Sequence, residues 1–304
     1  MSDLIQNGVP KRGTGARRPE YLRVKIQGST TYREVGQLLG GLKLHTVCES
    51  ARCPNIWECW GSHKTATFMI AGDVCTRNCR YCAVTKGRPE PLATDEPAQV
   101  AKAVWQLKLA HAVVTSVDRD DLADFGAGQF AATIRAIRTL SPTTRVEVLI
   151  PDLKGDAAAL QTILDARPEV LNHNVETVPR LFPKLRAKGD FERSLTLLAR
   201  ADAFRREHGV PMVTKSGIML GLGETIDELL AVMDALRRVR CDVLTLGQYL
   251  NPTTDHTPID RFYTLEEFAT LRAAGQERGF AHVEAGPLVR SSYHAASHVP
   301  TATA

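Results

Sequence analysis

A chain of 304 residues that is 43% hydrophobic and 24% charged, with a formal net charge of +4, has an ordinary globular composition. Its apolar runs all fall short of the roughly 20 residues that a membrane helix needs, and the mild charge and 6% aromatic content do not suit a nucleic-acid binder. Length permits two domains of common size or one α/β barrel, and the periodicity has to decide.

Residues 1–20 carry Lys11, Arg12, Arg17 and Arg18 among glycines and prolines with no helical period, which predicts a flexible arm. Asp3, the few serines and the missing amphipathic pattern argue against a mitochondrial transit peptide, and no apolar signal segment precedes the cysteines. A cytoplasmic location is expected. Residues 21–62 read as an N-terminal extension: a short helical pattern over Tyr32–Leu39, then Leu44-His-Thr-Val-Cys48 and a triplet spaced Cys-x4-Cys-x5-Cys at Cys48, Cys53 and Cys59. Ile56, Trp57 and Trp60 sit among these cysteines, placed to keep water from whatever the thiols hold.

Residues 63–280 then alternate between strand and helix patterns. Strands are predicted over Thr65–Ile70, His111–Val117, Arg145–Ile150, Glu169–Asn174, Val213–Leu220 and Val243–Leu250, each followed by a helix. Proline in the first turn opens the helix after Thr94, and Thr225–Glu228 and Thr264–Glu267 read as capping boxes. Six βα units imply a parallel sheet, in an α/β fold of the partial (βα)6 TIM-barrel type, with a doubly wound open sheet as the alternative. Residues 281–304 form a C-terminal segment containing Arg290-Ser-Ser-Tyr293.

A second triplet, Cys-x3-Cys-x2-Cys at Cys75, Cys79 and Cys82, follows the first strand. Six of the seven cysteines thus fall between residues 48 and 82. Each triplet supplies one thiolate fewer than the usual four ligands of an iron–sulfur cluster, and an iron without a protein ligand can hold a small molecule. Structural zinc prefers paired Cys-x2-Cys halves with four ligands, and disulfides suit a secreted chain. Cys241 precedes the sixth strand, at the opposite end of the sheet, and reads as a buried inert thiol.

These motifs, with Cys53-Pro-Asn-Ile, Arg119-Asp-Asp-Leu122 and the Gly221-Leu-Gly-Glu224 turn, resemble the lipoyl synthase family of radical S-adenosylmethionine enzymes from about Tyr21 to Ala295. Three residues depart from that pattern: Trp57 stands where the family usually has glycine, Phe125 interrupts what is usually Asp-Gly-Gly-Ala, and Asp118 replaces a common asparagine. The resemblance implies two 4Fe–4S clusters. One would be held by Cys75, Cys79 and Cys82 with S-adenosylmethionine on its open iron. The other, an auxiliary cluster, would be held by Cys48, Cys53 and Cys59 with an oxygen of Ser292 (Ser291 in reserve), and Arg290 belongs to the same motif. Contacts to S-adenosylmethionine are expected from Tyr81, Thr115, Ser116, Asn174, Glu176, Gly217, Gly221, Glu224, Gln248 and Tyr249. The implied activity is insertion of two sulfur atoms, at carbons six and eight of an octanoyl chain on a carrier lysine, with the sulfur drawn from the auxiliary cluster. Implied partners are octanoylated carrier domains (the E2 component of 2-oxoacid dehydrogenases or the glycine cleavage H protein), a ferredoxin or flavodoxin reductant and a cluster-repair protein. Nucleic acid and membrane are not among them. Two rival readings are another sulfur-inserting radical enzyme and a non-catalytic two-cluster electron carrier; the carrier would ligate each iron fully.

Overall fold

The structure, a computed structural model, describes residues 18–24, 29–62 and 66–298, so most of the predicted arm lies outside the described residues. The strands are β1 (His45–Thr46), β2 (Thr67–Ile70), β3 (Val74–Cys75), β4 (Thr85–Lys86), β5 (His111–Ser116), β6 (Arg145–Leu149), β7 (Val170–Asn172), β8 (Val213–Leu220), β9 (Val243–Gln248) and β10 (His282–Gly286). The α-helices are α1 (Thr30–Gly41), α2 (Val47–Ser50), α3 (Ile56–Gly61), α4 (Glu96–Leu107), α5 (Ala127–Leu140), α6 (Ala157–Asp165), α7 (Phe182–Leu185), α8 (Phe191–Glu207), α9 (Ile226–Arg238) and α10 (Leu265–Glu277). No helix among the described residues is long and apolar enough to cross a membrane.

The main sheet runs β1-β2-β5-β6-β7-β8-β9-β10; β1 is antiparallel to β2, and every other pairing is parallel. The parallel strands thus lie in chain order with no reversal. Right-handed crossovers in such an order put every helix on one face, whereas a doubly wound sheet needs a switch point. Successive helices α4, α5 and α6 accordingly pack on one another. This is the partial barrel. It holds the six predicted strands and a seventh, β10, which the sequence had left in the C-terminal segment. The sheet therefore extends past residue 280.

Local signals explain the elements. Both capping boxes form, Thr225 with Glu228 and Thr264 with Glu267, and Pro97 sits in the first turn of α4, with Asp95 at the cap position. Phe68, Val114, Val148, Leu171, Ile218 and Leu246 lie in the core under the helices. The pleat sends alternate residues into the barrel. Among these is a polar layer. Glu147 and Lys215, both with no exposed side-chain surface, meet at 2.8 Å, and His111 Nε2 lies 3.2 Å from the same carboxylate.

After β10 the chain turns back along the open side of the barrel. Asn55 Nδ2 donates to the Leu288 carbonyl at 2.7 Å. The Val289 carbonyl passes so close to Gly247 that a Cβ there would lie 2.0 Å from it. Residues Ala295–His298 then reach β10 and β5, where Arg145 donates to the Ala296 carbonyl at 3.3 Å. The C-terminal segment is thus a strap closing the seam that seven strands leave open.

Candidate functional site

The second triplet sits on the loop beyond β2, at the barrel end where active groups gather. Neighbouring loops hold it in place. Thr76 N and Oγ1 donate to the Asp118 carbonyl, Arg80 N to Leu185 O, and Thr257 N to Arg80 O. His256 Nε2 lies 3.0 Å from the Cys82 carbonyl. Inside the loop, the buried Arg77 bridges Asp120 at 2.8 Å and Asp152 at 2.6 Å and pairs with Asp118 at 3.2 Å. One guanidinium therefore ties the cysteine loop to the loops after β5 and β6. Burial pushes all three thiols up, Cys75 to about 11 and Cys82 to about 12.

A cavity of about 180 Å³ opens beside the triplet, lined among others by Cys75, Cys79, Tyr81, Cys82, Thr115, Ser116, Asn174 and Glu176. Ser116 Oγ and Asn174 Oδ1 are buried there without a hydrogen-bond partner. Glu176 has φ +69°, a left-handed conformation that is costly for a residue with a side chain. Two backbone bonds enforce it, Glu176 N to Gly217 O and Met219 N to Glu176 O, each 2.9 Å. The strain aims the carboxylate into the cavity beside Asn174, whose Nδ2 is 3.3 Å away. Burial raises the Glu176 carboxyl above its ordinary value, and the charge of Arg186 opposes the rise. A larger cavity, about 430 Å³, lies between Leu42–His45 and Pro89–Pro91; no cysteine lines it.

Five other residues expected to touch a cofactor lie off that wall. Glu224 spends both oxygens on its own turn, accepting from Gly221 N at 2.6 Å and Leu222 N at 2.8 Å. Gln248 donates to Leu220 O and Arg261 O and accepts from Tyr263 N, and the Tyr249 hydroxyl donates to Thr257 O at 2.9 Å. Gly221 takes φ +94°, and a Cβ there would lie 2.3 Å from Gln248 Nε2 and 2.4 Å from Arg261 O. Gly217 leaves room for the Asn174 side chain, 2.8 Å from where its Cβ would be. These bonds and close approaches hold the turn after β8 against the end of β9. Gly221→Ala should cost about 2–4 kcal/mol, the sum of a left-handed backbone and a steric clash; chemical denaturation measures it.

Sequence reasoning missed Arg186. It is buried, donates from Nη1 to the Asn174 carbonyl at 3.0 Å, and lines the same cavity. No motif marks it, because it arrives from α7 only through packing. Cys241 lies where the sequence put it, fully buried, its thiol pushed up to about 12 by burial.

The first triplet lies against β1 and β2, on α2, α3 and the loop between them. Its thiols lie close enough to disfavour one another's ionisation; burial first, then its neighbours Cys48 and Cys53, push Cys59 up to about 12. Tyr32 stacks on Trp57 at 4.5 Å, which fixes α1 against α3 and gives the unusual Trp57 a packing role. The strap comes to this triplet. Burial raises the Cys53 thiol, and the Arg290 charge offsets part of that rise. The Tyr293 hydroxyl donates to both oxygens of Glu58, at 3.0 and 3.1 Å. Ser291 and Ser292 lie between those two contacts, both half-buried.

The radical SAM superfamily profile matches residues 69–236, and the profile of the N-terminal domain of lipoyl synthase of the radical SAM family matches residues 2–53. A lipoyl synthase of Roseiflexus sp. (strain RS-1) is 56% identical over 98% of each chain. The chain belongs to the lipoyl synthase family. Another lipoyl synthase, from Chloroflexus aurantiacus (strain ATCC 29366 / DSM 635 / J-10-fl), is 52% identical over 99% of each chain. Among solved structures, Streptococcus suis SuiB bound to S-adenosylmethionine shares the fold at 12% identity, with TM-score 0.55 over 84% of this chain and 61% of that one. The activity is therefore that of the family, a radical S-adenosylmethionine sulfurtransferase forming lipoyl groups on protein-bound octanoyl chains. A 4Fe–4S cluster and S-adenosylmethionine come with the superfamily.

Proposed function

We propose that Cys75, Cys79 and Cys82 hold the cluster that takes S-adenosylmethionine, and that Cys48, Cys53, Cys59 and Ser292 hold an auxiliary 4Fe–4S cluster that is consumed as the sulfur source. When bound, the first cluster supplies the electron that splits S-adenosylmethionine to methionine and the 5′-deoxyadenosyl radical, which can attack unactivated carbons. The orphaned Ser116 Oγ and Asn174 Oδ1 fit a polar ligand in the cavity; with Tyr81, Thr115 and Glu176 they would orient the cofactor. Glu176, facing Arg186, suits a cationic amine. Gly217, Gly221, Glu224, Gln248 and Tyr249 would position this wall from behind.

At the first triplet, the Trp60 indole N–H is buried without a full hydrogen bond and lies close enough to favour a thiolate at Cys48. That fits a sulfur-rich guest, since N–H donors stabilise cluster sulfurs. The observation that supports the assignment is the strap, in which Tyr293 meets Glu58, the residue before Cys59, across 235 positions of sequence; a segment tied there would hold its serines within reach of the three cysteines. Serinate is a harder ligand for iron than thiolate, suited to leave when a sulfide is to be given up. The substrates are octanoylated carrier domains of the 2-oxoacid dehydrogenase E2 or glycine cleavage H type. A ferredoxin or flavodoxin supplies electrons, and a repair protein restores the spent cluster.

Anaerobic incubation with dithionite, S-adenosylmethionine and an octanoyl-lysyl peptide, with labelled sulfide built into the clusters, tests this by mass spectrometry. Two labels per lipoyl product and arrest near one product per chain are expected; unlabelled product would refute the sulfur source. Reconstituted protein should hold about eight irons. Gly247→Ala, which pushes the Val289 carbonyl aside, should keep that content but change the electron paramagnetic resonance of the reduced auxiliary cluster, by displacing the serine segment.

A further inference from the structure

The strap carrying the serines is fastened on both sides of them, and both fasteners stand on the first triplet's own segment. On the near side, Asn55, only 2% exposed, donates to the Leu288 carbonyl at 2.7 Å. On the far side, the Glu58 carboxylate accepts Tyr293 Oη at 3.0 Å and meets His294 Nε2 at 3.3 Å. The Tyr293 and His294 rings stack at 4.0 Å, so one carboxylate gathers two consecutive side chains. His294 holds φ +52°, a conformation that persists only where its surroundings impose it. Asn55 and Glu58 are three positions apart around the start of α3, and Cys59 follows Glu58 directly.

We infer that Asn55 and Glu58 are positioning residues, a two-point clamp that presents Ser291–Ser292 to the first triplet before any iron is bound and keeps them there when the oxygen ligand lets go. The inference deepens the reading of Ser292 as a cluster ligand and rests on it. A ligand tethered at both ends stays at high effective concentration after it dissociates, because neither side of its segment can swing away. The clamp would therefore make a labile oxygen ligand workable. It also accounts for Asn55, which supplies no ligand yet lies inside the cysteine word.

Amide hydrogen exchange of the metal-free full chain, read by mass spectrometry, tests the clamp independently of any cluster. Glu58→Ala, Tyr293→Phe and Asn55→Ala should each speed exchange of peptides spanning 287–297 by about tenfold, the scale of one buried hydrogen bond. Peptides from β5 and β6 should keep the parent rate. Glu58→Gln, which keeps an acceptor for Tyr293, should restore most of the protection. In reconstituted Glu58→Ala and Asn55→Ala, iron should stay near the parent content while the electron paramagnetic resonance of the reduced auxiliary cluster moves towards that of Ser292→Ala. Unchanged exchange in all three variants would overturn the clamp. If Ser292→Ala itself leaves the spectrum of the parent, the serine assignment fails, and the exchange data still decide whether the strap is clamped.

Discussion

Replacing Cys79 by alanine should abolish 5′-deoxyadenosine formation, whereas Cys53→Ala should still release it yet form no carbon–sulfur bond. The asymmetry follows from where the two triplets lie. Cys79 sits on the loop after β2 and lines the cavity with Thr115, Ser116, Asn174 and Glu176. Cys53 sits between α2 and α3, in a separate group of thiols that the strap approaches with Arg290 and Tyr293. Losing one of three thiolates removes a cluster's anchorage, so Cys79→Ala should fall to background, at least a thousandfold below the parent, a loss of about 4 kcal/mol in transition-state terms. The Cys53 variant separates cleavage from insertion. Liquid chromatography for 5′-deoxyadenosine and mass spectrometry of the peptide read both. If Cys53→Ala made lipoyl product normally, the first triplet would be structural.

Lys215→Met should be the most damaging single change to stability away from the cysteines, costing about 3–5 kcal/mol by leaving the Glu147 carboxylate buried without its countercharge. Removing both charges with Glu147→Gln/Lys215→Met should recover most of the loss, because the penalty belongs to the orphaned ion and not to the missing pair. The same layer has a pH signature. Burial alone would raise the Glu147 carboxyl, but Lys215 and His111 outweigh it and hold it at about 2, below the ordinary 4.5. A carboxyl held low in the folded state stabilises the fold at pH above its unfolded value. That contribution should fade as pH falls from about 4.5 towards 2, and the double variant should lack the fading. Urea denaturation across that range measures it; a parallel fall in both proteins would place the acid sensitivity elsewhere.

The chemistry of this protein is legible in its sequence because its ligands come in short words. Cys-x3-Cys-x2-Cys and Cys-x4-Cys-x5-Cys each put three thiols within a dozen residues or fewer, so spacing keeps the sulfurs near one another. The strand and helix order is legible for a similar reason, since pleat and helix periods are local, and the β8 boundaries, Val213–Leu220, agree to the residue. Three things depended on the tertiary structure. The strand β10 was hidden because its five residues alternate His282, Glu284 and Gly286 with Val283 and Ala285, a pattern too short and polar to stand out until pairing with β9 gives it a partner. The bonding of Glu224 and Gln248 was hidden because a glutamate or glutamine in a motif looks the same whether its side chain is open or, as here, bonded to nearby backbone. The meeting of Glu58 with Tyr293 and His294, and the arrival of Arg186 beside Asn174, were hidden because nothing local encodes them. They follow from a barrel whose seven parallel strands do not close, and whose open seam the returning chain covers.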